Sequence, residues 1–166
     1  MSAQRQQRKA ICPGSALFVA LAVALTPVVA AAASATTERV VVNRHTGVAI
    51  GGFDPVAYFT DKEARQGKAE FEADKNGAVW RFCNAGNRSY FLARPDIYAP
   101  QYGGYDPVGV ARGVAVAGNA QIWLIEGQRL FLFVDQDNRD AFAADPGRYL
   151  QRAAQHWPKL LEQLAE

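Results

Sequence analysis

Cys83, Asp54, Asp106, Tyr102 and Tyr105 are the residues of this 166-residue chain whose types and positions could do chemistry. Cys83 ends the run Val79-Trp80-Arg81-Phe82 and precedes Asn84, a residue suited to capping a helix. A thiol at a helix amino terminus is drawn toward the thiolate, which is both a nucleophile and a metal ligand. The structural alternative is a small buried hydrophobe, since unpaired cysteines are among the most buried residues. Asp54 and Asp106 each precede Pro-Val, so they occupy matching contexts 52 positions apart. Two converging carboxylates would hold a cation or a ligand amine. Alternatively, each accepts backbone N–H bonds in the turn before its proline. Tyr102-Gly103-Gly104-Tyr105 reads either as a loop presenting two rings to a ligand or as a connector whose glycines allow a sharp reversal.

The remaining candidates are weaker. His45 reads as a solvated loop residue, His156 as cover for the edge of Trp157, and Ser89 lacks a G-x-S-x-G elbow. No H-E-x-x-H, P-loop or dinucleotide fingerprint occurs, which disfavours the common hydrolase and nucleotide-dependent chemistries. Zinc and copper are the candidate cofactors. Their sites usually need several Cys or His donors, and Cys83, His45 and His156 have no diagnostic spacing even with Asp106 added.

Two hairpin-helix units are predicted to position these residues. Residues 70–74 and 78–82 flank Lys75-Asn76-Gly77, where Asn-Gly supplies the positive φ angles of a tight turn. Asn84 then caps a helix to about Ala93 with Tyr90, Phe91 and Leu92 inward, and Pro95 opens a further turn ending near Tyr98. The order returns downstream. Residues 121–125 and 129–134 flank Glu126-Gly127-Gln128, Asp135 or Asp137 caps a helix to about Ala144, and Pro146 starts a segment containing Tyr149. Asn87-Arg88, Phe91, Pro95 and Tyr98 are answered 51 positions later by Asn138-Arg139, Phe142, Pro146 and Tyr149. Units of about 50 residues bury too little surface to stand alone, so they must share one core. Trp157, Leu160, Leu161 and Leu164 mark a C-terminal amphipathic helix begun near Pro158. The expected fold is α+β, with units at residues 52–100 and 104–152 and a helix at 153–165, all within one domain at 48–166.

The amino-terminal residues read as an address. Arg5, Arg8 and Lys9 precede the apolar run 16–25, and small residues follow with Ala31-Ala32-Ala33 and Ala33-Ser34-Ala35 as cleavage sites. Residues 1–33 are therefore expected to be a Sec-type signal peptide, and residues 34–47 a flexible lead-in. The apolar run is too short to span a bilayer. Removing this segment takes three of the 18 basic residues and none of the 16 acidic ones, so the formal charge of +2 belongs to the signal. No basic stripe remains for nucleic acid. Cys12 is lost as well, so Cys83 enters an oxidising compartment with no internal disulfide partner.

Asp54-Pro55-Val56-Ala57-Tyr58-Phe59, Trp80-Arg81-Phe82-Cys83, Asn87-Arg88, Phe91-Leu92-Ala93-Arg94-Pro95, the string Tyr98-Ala99-Pro100-Gln101-Tyr102-Gly103-Gly104-Tyr105 and Trp157-Pro158-Lys159-Leu160 together resemble the exported YHS-domain proteins of bacteria. The resemblance runs from about Gly52 to Leu161. It implies a small module related to treble-clef and zinc-ribbon folds, found elsewhere beside heavy-metal transport and oxygenase domains and suspected of binding metal through cysteines. Ala57 stands where those versions carry the first cysteine, and Asn87 is near the expected partner of Cys83. Asp106 occupies a position that is commonly cysteine in exported relatives.

These observations lead to an exported, periplasmic or secreted, non-enzymatic binding module for a small ligand or metal ion, with Cys83, Asp54, Asp106, Tyr102 and Tyr105 as site candidates. The rivals are a thiol-dependent redox protein or enzyme using Cys83, and a structural module for an exported protein partner. Intact-mass analysis of the exported protein is expected to show a chain starting at Ser34 or Thr36; a species retaining Met1 overturns the signal assignment.

Overall fold

The structure, a computed structural model, describes residues 39–164. The expected signal peptide and residues 34–38 of the expected lead-in lie outside the described residues. The chain is mixed α+β, with two two-stranded antiparallel sheets and six helices among the described residues. Helix α1 spans Ala57–Thr60, and strands β1 (Lys68–Lys75) and β2 (Ala78–Phe82) form the first hairpin. Helices α2 (Ala85–Ala93), α3 (Pro95–Tyr98) and α4 (Pro107–Ala111) follow. The second hairpin is β3 (Asn119–Glu126) with β4 (Arg129–Phe133), and α5 (Gln136–Ala144) and α6 (Pro146–Gln163) complete the fold.

Both hairpins turn through two residues with positive φ, Asn76 and Gly77 at 55° and 76°, Gly127 and Gln128 at 54° and 59°. Such turns match the right-handed twist of the strands they join. The two ladders also share a register break, between Lys68 and Glu72 in one and between Asn119 and Trp123 in the other. At the end of each hairpin a side-chain oxygen starts the next helix: Asn84 accepts from the Asn87 N–H at 2.8 Å, and Asp135 from the Asn138 N–H at 2.8 Å.

Each hairpin folds around a phenylalanine of the helix after it. Phe91 lies 4.9 Å from Trp80 and 5.3 Å from Phe82, centroid to centroid; Phe142 lies 5.0 Å from Phe131 and 5.4 Å from Phe133. Strand β4 is buried on both faces, and its residues divide between two clusters by the two-residue period of a strand. Leu130 and Leu132 join the cluster containing Trp80, Phe82 and Phe91, while Phe131 and Phe133 join the one containing Val108 and Phe142. A third cluster sets Tyr105, Val110 and Ala111 against Ala153, Leu160 and Trp157 of α6.

Three expectations change. Helix α6 starts at Pro146 and runs through the boundary expected at residue 153, with Pro158 inside it. Pro158 faces solvent, while Ala153, Trp157, Leu160 and Leu164 turn toward the core, so the apolar face holds the helix across the proline. The lead-in is not free over its described part: Val40 is buried, the Val41 N–H donates to Gly103 O at 2.8 Å, and Val42 bridges Ala49. Of the three α2 residues expected inward, only Phe91 is; Tyr90 is 58% and Leu92 45% exposed, because a helix turns 100° per residue and cannot bury three in succession on one side.

Two close backbone approaches require glycine. The Gly118 N–H donates to Gly104 O at 3.0 Å, and a Cβ on Gly118 would lie 2.7 Å from Leu132 Cβ and 2.8 Å from Gly104 O. Gly67 stands in the same relation to the first hairpin: its N–H donates to Gly52 O at 2.9 Å, and its Cβ would meet Arg81 C at 2.5 Å. Gly118→Ala is expected to lower unfolding stability in urea by about 2–3 kcal/mol through overpacking. Gly47→Ala, at a positive φ with nothing within 4 Å, should cost about 1 kcal/mol.

Candidate functional site

Asp54 and Asp106 are both fully buried, and each lies where an Asp-Pro turn meets the end of a hairpin. The proline supplies a fixed φ at the start of the next turn, and the aspartate ahead of it turns its carboxylate back onto the amides that follow. Asp54 Oδ1 accepts from the Val56 N–H at 2.9 Å. Its Oδ2 accepts from the Cys83 N–H and from Asn87 Nδ2, both at 2.7 Å. Asp106 Oδ1 accepts from the Val108 and Gly109 N–H groups at 2.7 and 3.2 Å; its Oδ2 accepts from the Val134 N–H at 2.9 Å and Asn138 Nδ2 at 2.8 Å. Neither carboxylate has a lysine or arginine among these partners. Oriented amides at helix starts and one asparagine side chain replace the water that burial removes.

The two aspartates therefore do not converge. Each serves its own strand-helix junction, and among the described residues no three His, Cys, Asp or Glu side chains gather as a metal site. The positions that the resemblance marks for cysteines carry the wrong polarity for a cation. Ala57 is buried and brings only a methyl group, and Asn87 points its NH₂ donors at Asp54. These residues do not fit a zinc or copper ion.

Cys83 is half-buried, with its Sγ 3.6 Å from Gln66 O. The expected shift toward thiolate is reversed. Burial, and then the negative charge of Asp54 beside it, push the thiol up to about 11, outweighing Arg65, which acts in the opposite sense. The helix amino terminus is present as expected, but its amides are directed at the Asp54 carboxylate and the Asn84 cap.

Tyr102 and Tyr105 frame Trp157 of α6, with ring centroids 5.3 and 6.2 Å from it. Tyr105 is buried; Tyr102 is half-buried, and burial raises its phenol pKa while Arg129 opposes the rise. Tyr102, Gly103 and Gly104 all have positive φ, at 53°, 63° and 92°. A Cβ on Gly103 would collide with Arg39 O, so the segment is a tight backbone clamp on the residues at 39–41. Tyr58 was no candidate in the sequence, yet it is buried and donates its hydroxyl to Ala120 O at 2.7 Å, joining α1 to β3. Its phenol pKa is raised, by burial and then by Asp54. His45, Ser89 and His156 are exposed, and Ser89 donates to Ala85 O within its own helix.

Clefts were not visible in the sequence, because separated segments line them. One of about 530 Å³ is bounded by Arg39, Val40, Asn76, Trp80, Pro100 and Leu161. The chain matches no family model, no curated protein and no solved structure.

Asp54→Asn and Asp106→Asn are each expected to cost about 3 kcal/mol in chemical denaturation, because an NH₂ would face N–H donors or an acceptor would be lost from a buried cluster. Asp61→Asn, which breaks an exposed pair with Arg65, should cost under about 1 kcal/mol. Iodoacetamide modification of Cys83 in the folded chain is expected to rise with pH, with its midpoint near 11. The neutral thiol stabilises the fold below the unfolded thiol pKa, and that contribution is lost as pH climbs through about 11. An inflection near neutrality would restore the thiolate reading.

Proposed function

We propose that the chain is an exported, duplicated YHS-like domain that binds a small ligand and does not transform it. The observation that carries this reading is the fate of the two carboxylates. The short hydrogen bonds to Asp54 and Asp106 come from backbone amides and asparagine side chains, so the residues best suited to acid-base chemistry are engaged in holding the fold. The protonated Cys83 adds to this by arguing against a thiolate nucleophile.

Duplication is supported by equivalences beyond the letters. Ile50-Gly51-Gly52 and Tyr102-Gly103-Gly104 each carry three successive positive φ angles before an aromatic-Asp-Pro-Val string. The Asp54 N–H donates to Arg65 O at 2.8 Å, and the Asp106 N–H to Val116 O at 2.9 Å. The resemblance to exported YHS domains supplies the expected compartment, and among the described residues no helix is long and apolar enough to cross a membrane. A cleft of about 530 Å³ falls within the usual volume range of small-molecule sites, roughly 300–1,000 Å³.

The test is a thermal-shift screen of the chain from Ser34 onward, against small organic anions, cations, sugars and the divalent metals, with Cys83 free and alkylated. A ligand that raises Tm in both thiol states supports the binding module. Stabilisation by zinc or copper alone, lost on alkylation, or turnover of a disulfide substrate that disappears in Cys83→Ser, overturns it.

A further inference from the structure

We infer that the cleft bounded by Arg39, Val40, Asn76, Trp80, Pro100 and Leu161 is the ligand site, and that it takes an amphipathic anion: an apolar body carrying a single acidic group. The inference rests on the binding-module reading and names its ligand class.

Four separate parts of the chain build the cleft. The amino-terminal segment contributes Arg39 and Val40, the first hairpin Asn76 and Trp80, the segment after α3 Ala99, Pro100 and Gly103, and α6 Leu161. The residues that bound it are therefore largely aliphatic. The indole N–H of Trp80 is already committed to Lys75 O at 3.0 Å and its ring is buried in the first core cluster, so it backs the cleft and offers no free donor. Arg39 is the sole ionisable residue of the lining, it is exposed, and among the described residues no carboxylate pairs with it. A guanidinium without a carboxylate partner, at the mouth of an apolar cleft, complements a carboxylate, sulfonate or phosphate whose remaining surface is hydrocarbon. The Asn76 side chain, at the tip of its turn, adds hydrogen-bonding capacity beside that charge.

The other clefts fit this class less well. One of about 400 Å³, between Ile50, Phe53 and residues 118–121, has no ionisable residue in its lining. Another, of about 230 Å³ beside Arg44 and Tyr105, is smaller than the usual range for such sites, as is one of about 280 Å³ beside His156 and Lys159. Backbone geometry also fixes the floor of the chosen cleft. Val41 is hydrogen-bonded to Gly103, and Gly103 can approach Arg39 only because it lacks a Cβ. The backbone that carries Arg39 is thereby held in place by the clamp described above, and ligand binding need not order that backbone.

The test uses octanoate as the probe, with octylamine and octanol as controls, added to the ¹⁵N-labelled chain from Ser34 onward and followed by NMR. Octanoate is expected to shift the Trp80 indole and Gly103 amide resonances in a saturable way. Octylamine should leave both unmoved, and octanol should bind at least about fivefold more weakly than octanoate. Arg39→Gln, a surface change that leaves the core intact, should weaken octanoate by at least about fivefold, whereas Arg39→Lys keeps the charge and should stay within about threefold of the parent. Equal binding of octanoate and octylamine, or an affinity unchanged in Arg39→Gln, overturns the inference. Saturable octanoate shifts confined to another cleft also overturn it, while leaving the binding-module reading standing. Loss of that reading would show separately, as Cys83-dependent turnover in the screen above.

Discussion

A buried carboxylate held by amides is the constraint on which this fold depends, and the chain meets it twice. Asp54 and Asp106 sit entirely out of solvent, where an isolated charge is costly. Each recovers that cost from amides that already need acceptors, the first N–H groups of the helical turn after its proline and the N–H where a hairpin strand ends. One side chain thus joins a turn to a strand-helix junction 28 or 29 residues further along. The asparagine one turn into the following helix closes each cluster, and its own N–H is held by the helix cap. The geometry of turn, hairpin end and helix start is set together by this arrangement.

Strand β4 makes the two halves one body. A strand with a solvated face would alternate apolar and polar residues, whereas Leu130, Phe131, Leu132 and Phe133 are apolar without interruption and all buried. The leucines serve the first aromatic cluster and the phenylalanines the second. Tyr58 reinforces the join from the other side, through its hydroxyl to Ala120 O and its edge-on contact with Trp123 at 5.2 Å. Neither half could lose its partner without exposing half of a core.

What could be read from the sequence was what short-range chemistry determines. Asn76-Gly77 identified the first turn, and Asn84 and Asp135 marked helix starts because an Asx side chain reaches an amide three residues on. The structural alternative for Asp54 and Asp106 was also legible, since Asp-Pro implies the local half of their hydrogen bonds. Their long-range halves, to Cys83 and Val134, were not, because nothing local states which amide a buried carboxylate will meet. The same limit explains Cys83: its helix terminus was visible, but the neighbouring Asp54, which reverses the shift, lies 29 residues away. The close backbone approaches at Gly67 and Gly118 did leave a signal in the letters, since the two glycines stand 51 positions apart, the offset that separates Asn87-Arg88 from Asn138-Arg139. At both positions a Cβ would run into backbone atoms, of Arg81 at Gly67 and of Gly104 at Gly118.

The proposed duplication also separates what the fold needs from what it merely tolerates. Position 83 and position 134 do the same structural work, each offering a backbone N–H to a buried carboxylate. One carries cysteine and the other valine, so that work does not require a thiol. Gln66 and Ala117 are likewise paired, through bridges to Phe53 and Tyr105. The first half therefore surrounds its junction with Cys83, Gln66, Arg65 and Asp61, while the second has Val134, Ala117 and Val116 near its own. The common scaffold accounts for the aspartates, the asparagines and the glycines, and leaves the differences between halves to be explained by function. Arg39 stands outside the proposed duplicated pattern altogether, carried to the 530 Å³ cleft by a segment that precedes both halves and is fastened to the second through Gly103. A charge that the scaffold does not use, held beside apolar surface that it leaves open, is where selection for a ligand would be expected to act.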